Sequence, residues 1–168
     1  MKLSDYIFDF IADQGVRHVF IVAGGGSMHL VDSLGKNKRL EYVCCLHEQA
    51  AGLAAEAYAQ FNGLGVCLVT SGPGATNAIT ACASAWCNSM PVLFISGQVN
   101  TYQMKTPEQR FNGVQELDII RMVRPITNWC WLADTKVTML PELIRIAQKP
   151  RQGPVWLDIP LNIQAVEI

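Results

Sequence analysis

Charge is scarce in this sequence: Asp, Glu, Lys and Arg make up 16% of the 168 residues, where an ordinary soluble domain carries about 25%. The 13 basic and 14 acidic side chains nearly cancel, leaving a formal net charge of -1 with no basic stripe and no acidic tail. That excludes the electrostatic footprint of a nucleic-acid or anionic-lipid binder and favours neutral small molecules or proteins as ligands. With half the residues hydrophobic and so few charged, part of the surface is expected to be covered by a partner. No apolar run reaches the roughly 18 residues of a membrane span, and Asp5, Asp9 and Asp13 interrupt the amino-terminal stretch where a secretory signal needs an uncharged core. A cytoplasmic location is expected. Paired C-x-x-C spacing is missing, so Cys44, Cys45, Cys67, Cys82, Cys87 and Cys130 read as reduced core residues rather than metal ligands or disulfides. Histidine is limited to His18, His29 and His47, none at helical i+4 spacing, so His47 reads as a helix-start or supporting residue rather than a metal ligand. Repeats, heptads and low-complexity tracts are absent too.

What is present is alternation. A chain of this length fits one domain and can bury roughly 70% of its unfolded surface. Leu3, Tyr6, Ile7, Phe10 and Ile11 recur at helical spacing, with Ser4 as a candidate N-cap and Gly15 as the stop. Apolar runs HVFIVA, LEYVCCL, GVCLVT, PVLFIS, a run around Ile126 to Leu132, and GPVWLDIP then alternate with helical patterns. Those patterns reach Leu34, cover about His47 to Phe61 and Ala75 to Cys87, and recur near Val114 to Met122 and Val137 to Gln148. Strands apolar on every residue and separated by helices specify a parallel sheet covered on both faces. The fold class is α/β: a three-layer α/β/α doubly wound sheet of about six parallel strands in flavodoxin-like order. The 17-residue segment from Gly97 to Gly113 is too long for a simple link and is expected to line a site. Pro141 fits best in the first turn of the last long helix.

In such a sheet the loops leaving the carboxyl ends of the strands share one edge, where ligands bind. Three unusual stretches fall in those loops: VAGGGSM, LHEQAAG and TSGPGATN. GGGSMH and GPGATN each fail the dinucleotide fingerprint at its third glycine, and no Walker-type Lys follows either loop. Gly24, Gly25, Gly72 and Gly74 either let a ligand approach bare backbone or merely turn strand into helix. Glu48 opens a helix whose next residues include Ala50, Ala51, Gly52, Ala54 and Ala55, small enough for another surface to pack directly on it. An acid in a first helical turn is commonplace, gaining about 0.3 to 1 kcal/mol from the dipole. Water exclusion can raise a carboxyl pKa by up to about 3 to 5 units, which outweighs that and would make the group a proton carrier at neutral pH. Gln115 and Glu116 follow the long segment at the start of a helical pattern, as caps or as ligand contacts.

The strings HEQAAGLAAEAYAQ, VTSGPGATNAIT, ISGQV, GVQELDI and GPVWLDIP, in this order over essentially the whole chain, resemble the amino-terminal domain of thiamine-diphosphate enzymes of the acetohydroxyacid (acetolactate) synthase type. The resemblance implies a domain that holds the cofactor's aminopyrimidine ring, with about six parallel strands sandwiched by helices. It gives Glu48 the place of the family's glutamate, which bonds the ring nitrogen N1′ and promotes the imino tautomer that deprotonates the thiazolium. The carbanion so formed adds to a 2-keto acid, commonly pyruvate, and the two-carbon unit passes to an acceptor after loss of carbon dioxide. Ala23, Gly24 and Gly25 match the loop against the pyrimidine, Thr70, Pro73 and Asn77 the run near the ring, and Gln115 a glutamine facing the substrate side. The resemblance also implies that the alanine face packs at a subunit interface of a homo-oligomer, dimer or tetramer, and that SGPG binds no phosphate.

Departures fall on the acceptor side: Ala23 replaces a usual Pro, the stretch between Gln98 and Gln115 is longer, and Val114 stands where an aromatic residue is usual. The Gly-Asp-Gly motif and Asn pair that hold diphosphate and Mg²⁺ in the family are absent. Residues 1–168 are therefore expected to be one pyrimidine-binding domain, completed by a diphosphate-binding domain of the same or another chain. A non-catalytic flavodoxin-like nucleotide- or flavin-binding module, and a domain kept for assembly alone, are the competing expectations.

Overall fold

Helices and strands alternate through residues 1–134 and 139–168, the part of the chain that the computed structural model describes. The order is α1 (Leu3–Asp13), β1 (His18–Ile21), α2 (Met28–Lys36), β2 (Glu41–Cys44), α3 (Glu48–Asn62), β3 (Gly65–Val69) and α4 (Pro73–Asn88). There follow β4 (Val92–Gln98), α5 (Ile119–Val123), β5 (Trp129–Leu132), α6 (Met139–Gln148), β6 (Val155–Pro160) and α7 (Leu161–Gln164). The start of the pattern expected from Val137 lies outside the described residues; Pro141 does occupy the first turn of α6. No helix among the described residues is long and apolar enough to cross a membrane.

All six strands run parallel in the order β2-β1-β3-β4-β6-β5, with helices on both faces. The first four follow the flavodoxin order; β6 then enters between β4 and β5. In the inner strand β6 every residue of VWLDIP is buried, whereas WCWL in the edge strand β5 is exposed or half-buried. The expectation that every strand is covered fails at the other edge as well: all four residues of β2 are exposed.

Period-two alternation divides the core. Val19, Ile21, Val66, Leu68, Leu93, Ile95, Val155, Leu157 and Ile159 meet α1, α2 and α6 on one face, through large residues such as Phe8, Ile11, Leu30, Leu34 and Leu143. Cys67, Val69, Val92, Phe94 and Trp156 meet α3, α4 and α5 on the other, where the helices contribute mainly alanine. Phe94 and Trp156 stack there with ring centroids 5.0 Å apart.

Three local readings are corrected. Ser4 is not the cap of α1: Lys2 precedes the helix, its N–H donating to Asp5 Oδ2 at 3.0 Å, and Ser4 is buried where Ser33 Oγ donates to its hydroxyl at 2.8 Å. Of the six cysteines only Cys67 and Cys82 are buried; Cys44 and Cys87 are exposed, because one lies on the edge strand β2 and the other near the end of α4. The helix expected from Ala75 begins at Pro73, whose missing N–H costs nothing in a first turn.

Candidate functional site

The loops after β1, β2 and β3 meet at the carboxyl edge of the sheet, and their small residues are what lets them interlock. His47 caps α3, its Nδ1 accepting from Gln49 N–H at 3.1 Å, so Glu48 is the first helical residue. Glycines and alanines bring α3 and α4 close: a Cβ at Gly52 would lie 2.5 Å from that of Ala81. Across this gap Asn77 Nδ2 donates to Glu48 Oε2 at 2.9 Å. Glu48 Oε1 has no hydrogen-bond partner among the described residues and faces Gly74, where a Cβ would approach it to 3.3 Å. The result is a half-buried carboxylate, oriented through one oxygen and open at the other.

Thr70 is the brace of the cluster. Its hydroxyl accepts from Gly26 N–H at 3.1 Å, and its side chain fills the space that a Cβ at Gly24 or Gly74 would need, 2.5 Å and 2.7 Å away. Gly72 has φ +54, and a Cβ there would strike the carbonyl of Gln115. The space beside Gly24, Gly72 and Gly74 that a side chain would need is thus used by the chain's own packing. Gly25 differs: it is exposed, with nothing within 4 Å of its Cβ position. Ala23, Pro73, Asn77 and Gln115 are exposed at the same edge. Glu48, Asn77, Thr70, Gly24 and Gln115 are therefore linked directly or through Gly72 and Gly74, whereas Ala23, Gly25 and Pro73 border the cluster without a polar contact to it.

Two expectations change. The small face of α3 does not wait for another subunit: Ala51, Gly52, Ala55 and Ala59 are buried within the chain against α4 and the sheet, leaving Ala50, Leu53, Ala57 and Gln60 outward. The stripe is used internally because α4 presents Ala78, Ala81 and Ala85 to it. Gln115 and Glu116 do not start a helix either; Asp118 caps α5, Oδ1 accepting from Arg121 N–H at 3.1 Å. Glu116 is buried and accepts from the N–H groups of Lys105, Asn112 and Gly113, at 2.8, 2.9 and 3.4 Å. It ties the middle of the long segment after β4 to its far end. That segment and α5 border an open groove of about 380 Å³ lined by Lys105, Arg110, Glu116, Asp118 and Arg121. Concavities of about 500 and 600 Å³ lie at the amino ends of the strands, around Trp86, Arg151 and Gln152, away from Glu48.

Sequence reading passed over three supporting residues. Gln164 Nε2 donates to the Gly26 and Ile159 carbonyls, both at 2.8 Å, holding the glycine loop from beneath. Gln98 and Asp158 form a buried pair under the Gln115 segment, Gln98 Nε2 donating to Asp158 Oδ2 at 3.0 Å. The one available signal was an acid in the otherwise apolar run VWLDIP.

Residues 1–122 match the family described as "Thiamine pyrophosphate enzyme, N-terminal TPP binding domain". The chain is 36% identical over 166 residues to the acetolactate synthase isozyme 1 large subunit of Escherichia coli (strain K12), covering 96% of this chain and 28% of that protein. It is 36% identical over 168 residues to acetolactate synthase 2, chloroplastic, of Nicotiana tabacum, covering 97% and 24%. With acetolactate synthase 2, chloroplastic, of Zea mays the identity is 37% over 167 residues, covering 97% and 25%. The chain spans about a quarter of the length of these relatives. It belongs to the thiamine pyrophosphate enzymes, as an N-terminal TPP binding domain of the acetolactate synthase-like kind.

Proposed function

We propose that residues 1–168 form one domain, the aminopyrimidine-binding half of a thiamine-diphosphate-dependent 2-keto acid decarboxylase or carboligase, in which Glu48 carries the proton. The observation that supports this most is the division of labour on Glu48: Oε2 is held by Asn77 while Oε1 stays open beside Gly74. A carboxylate fixed in this way can share a proton with a heterocyclic nitrogen set against it, and the glycine at position 74 keeps the approach clear. When bound, thiamine diphosphate supplies the electron sink for decarboxylating a 2-keto acid such as pyruvate. The chain's residues orient and manage the proton. Asn77 orients the carboxylate, Thr70 locks the loops after β1 and β3 together, Ala23, Gly24 and Gly25 with Pro73 border the ring, and Gln115 faces the substrate side. A diphosphate- and Mg²⁺-binding domain, a homo-oligomeric assembly and a cytoplasmic setting complete the proposal.

Calorimetric titration of residues 1–168 with thiamine diphosphate and Mg²⁺, alone and within the full-length enzyme, tests the division between domains. Full affinity in the short chain would contradict it. In the full-length enzyme Glu48→Gln removes the exchangeable proton while keeping the shape, and the exchange of the cofactor's C2 proton with solvent is expected to fall by at least about 100-fold, the size of a general acid–base contribution. Exchange at the wild-type rate would end the assignment.

A further inference from the structure

At the carboxyl ends of β4 and β6 lies a buried polar network that the chemistry proposed for Glu48 does not use. Asp158 is 1% exposed and pairs in register with Ser96. Ser96 Oγ donates to Asp158 Oδ1 at 2.6 Å and accepts from Trp156 Nε1 at 2.8 Å. The Gln98 amide donates twice, to Asp158 Oδ2 at 3.0 Å and to the Leu117 carbonyl at 2.9 Å, while its Oε1 accepts from Val99 N–H at 3.0 Å. Buried charge is a poor source of stability, since apolar residues of the same volume often serve as well or better. An acid at this place therefore needs another explanation.

The network leads outward to the site. Gln98 grips Leu117, and two residues earlier Gln115 is held at φ +59 with its carbonyl against Gly72. Left-handed backbone is strained for a residue other than glycine and persists only where the surroundings over-determine it. Here they do: Gly72 presses from the β3 loop, Gln98 holds from beneath, and Glu116 anchors the flanking chain.

We infer that Asp158 is a positioning residue, which through Gln98 and the Leu117 carbonyl fixes the segment 113–118 and so places Gln115 at the cofactor site. The inference rests on the reading of that site given above. Both oxygens of Asp158 accept, Oδ1 from Ser96 and Oδ2 from Gln98. A proton on Oδ1 reverses the Ser96 bond but leaves Oδ2 to accept from Gln98, so the grip on the segment holds in either protonation form. The groups facing Asp158 are Ser96 and Gln98 from β4, Leu132 as its neighbour on β5, and Asp118 from the turn into α5, the one charged group among them. Burial, more than the repulsion from Asp118, pushes its pKa up to about 7 against the lowering bonds from Ser96 and Gln98. Both protonation forms are then present near neutrality.

The experiment is steady-state kinetics of the full-length enzyme with pyruvate as probe, at pH values about one unit either side of 7. The wild-type KM is expected to stay level between them, because Gln98 is held in either protonation form. Asp158→Asn keeps an acceptor for Gln98 and is expected to leave KM within about twofold of the wild type. Asp158→Ala releases Gln98 and is expected to raise KM about tenfold at both pH values, with the thiamine diphosphate Kd unchanged. An Asp158→Asn enzyme with KM raised about tenfold, or an Asp158→Ala enzyme with wild-type KM, would overturn the inference. If Asp158→Ala does not fold, Gln98→Ala cuts the same link, and a wild-type KM there would overturn the inference. Gln115→Ala separates the two readings: a wild-type KM there would strike the placement of Gln115 at the site, whatever Asp158 does.

Discussion

The two faces of the sheet are packed by opposite means. Against α1, α2 and α6 the strands present aliphatic side chains that interdigitate with Phe8, Ile11, Leu34 and Leu143. Against α3 and α4 they present Phe94 and Trp156, and the helices answer with alanine and glycine. Large residues hold helices apart at a distance that tolerates adjustment; small ones bring backbones together and fix them. It is on the small-residue face that Glu48 and Asn77, on two different helices, come within a hydrogen bond of each other. The difference teaches that the precision of the candidate site is a packing property of one face, while the other face supplies bulk stability.

Substitutions on each side can break that contrast. Leu143→Ala on the aliphatic face should destabilise by about 2 to 5 kcal/mol in denaturant unfolding, the usual cost of emptying a buried leucine site, with the cofactor Kd unchanged. Gly52→Ala should destabilise less, by about 1 to 3 kcal/mol, since its new Cβ would lie 2.5 Å from that of Ala81 and 3.0 Å from Phe94 Cε1. It should nevertheless weaken thiamine diphosphate binding, because relief of the clash moves α3 and α4 apart and lengthens the Asn77–Glu48 bond. If the leucine variant loses cofactor affinity and the glycine variant keeps it, the two faces do not divide the work as described.

Asn77→Ala probes the same bond without touching the packing. Its partner is a charged carboxylate but lies partly exposed, so about 1 kcal/mol is at stake and the cofactor Kd should rise about fivefold in calorimetry. Asp158 provides the pH dependence of the small-residue face. Its pKa is pushed up to about 7 in the folded chain from its ordinary 3.8, so between those values the folded state holds a proton that the unfolded state has released. Stability through this group is therefore lost as pH rises from about 4 to 7 and levels off above. Asp158→Asn should flatten that slope in melting curves of the full-length protein, and a slope equal to the wild type would disprove the burial argument. The smallest effect concerns thiols. Burial pushes the Cys67 and Cys82 thiols far up, so neither should react with a thiol reagent until the protein unfolds. Prompt native labelling of both would mean that the alanine face opens.

How much of this was legible in the residues depends on the distance between partners. The strand runs, the helix beginning at Glu48 and the gathering of three loops on one edge all follow from local periodicity and from the one-way winding of parallel strands. Edge exposure of β2 was not legible, because LEYVCCL is as apolar as a central strand and only its place at the end of the order leaves it uncovered. The insertion of β6 between β4 and β5 was equally hidden, since both candidates read as apolar runs.

By itself the sequence determined the α/β class, the succession of its elements and the acid at the head of an alanine helix, because periodicity and turn chemistry act over a few residues. Tertiary structure alone decided that Asn77, 29 residues away, takes one oxygen of Glu48, that Thr70 rather than a ligand fills the space beside Gly24, and that Gln98 and Asp158, 60 residues apart, lie side by side beneath Gln115. Those pairings are set by strand register and helix approach across the whole sheet, where every contact depends on all the others being in place.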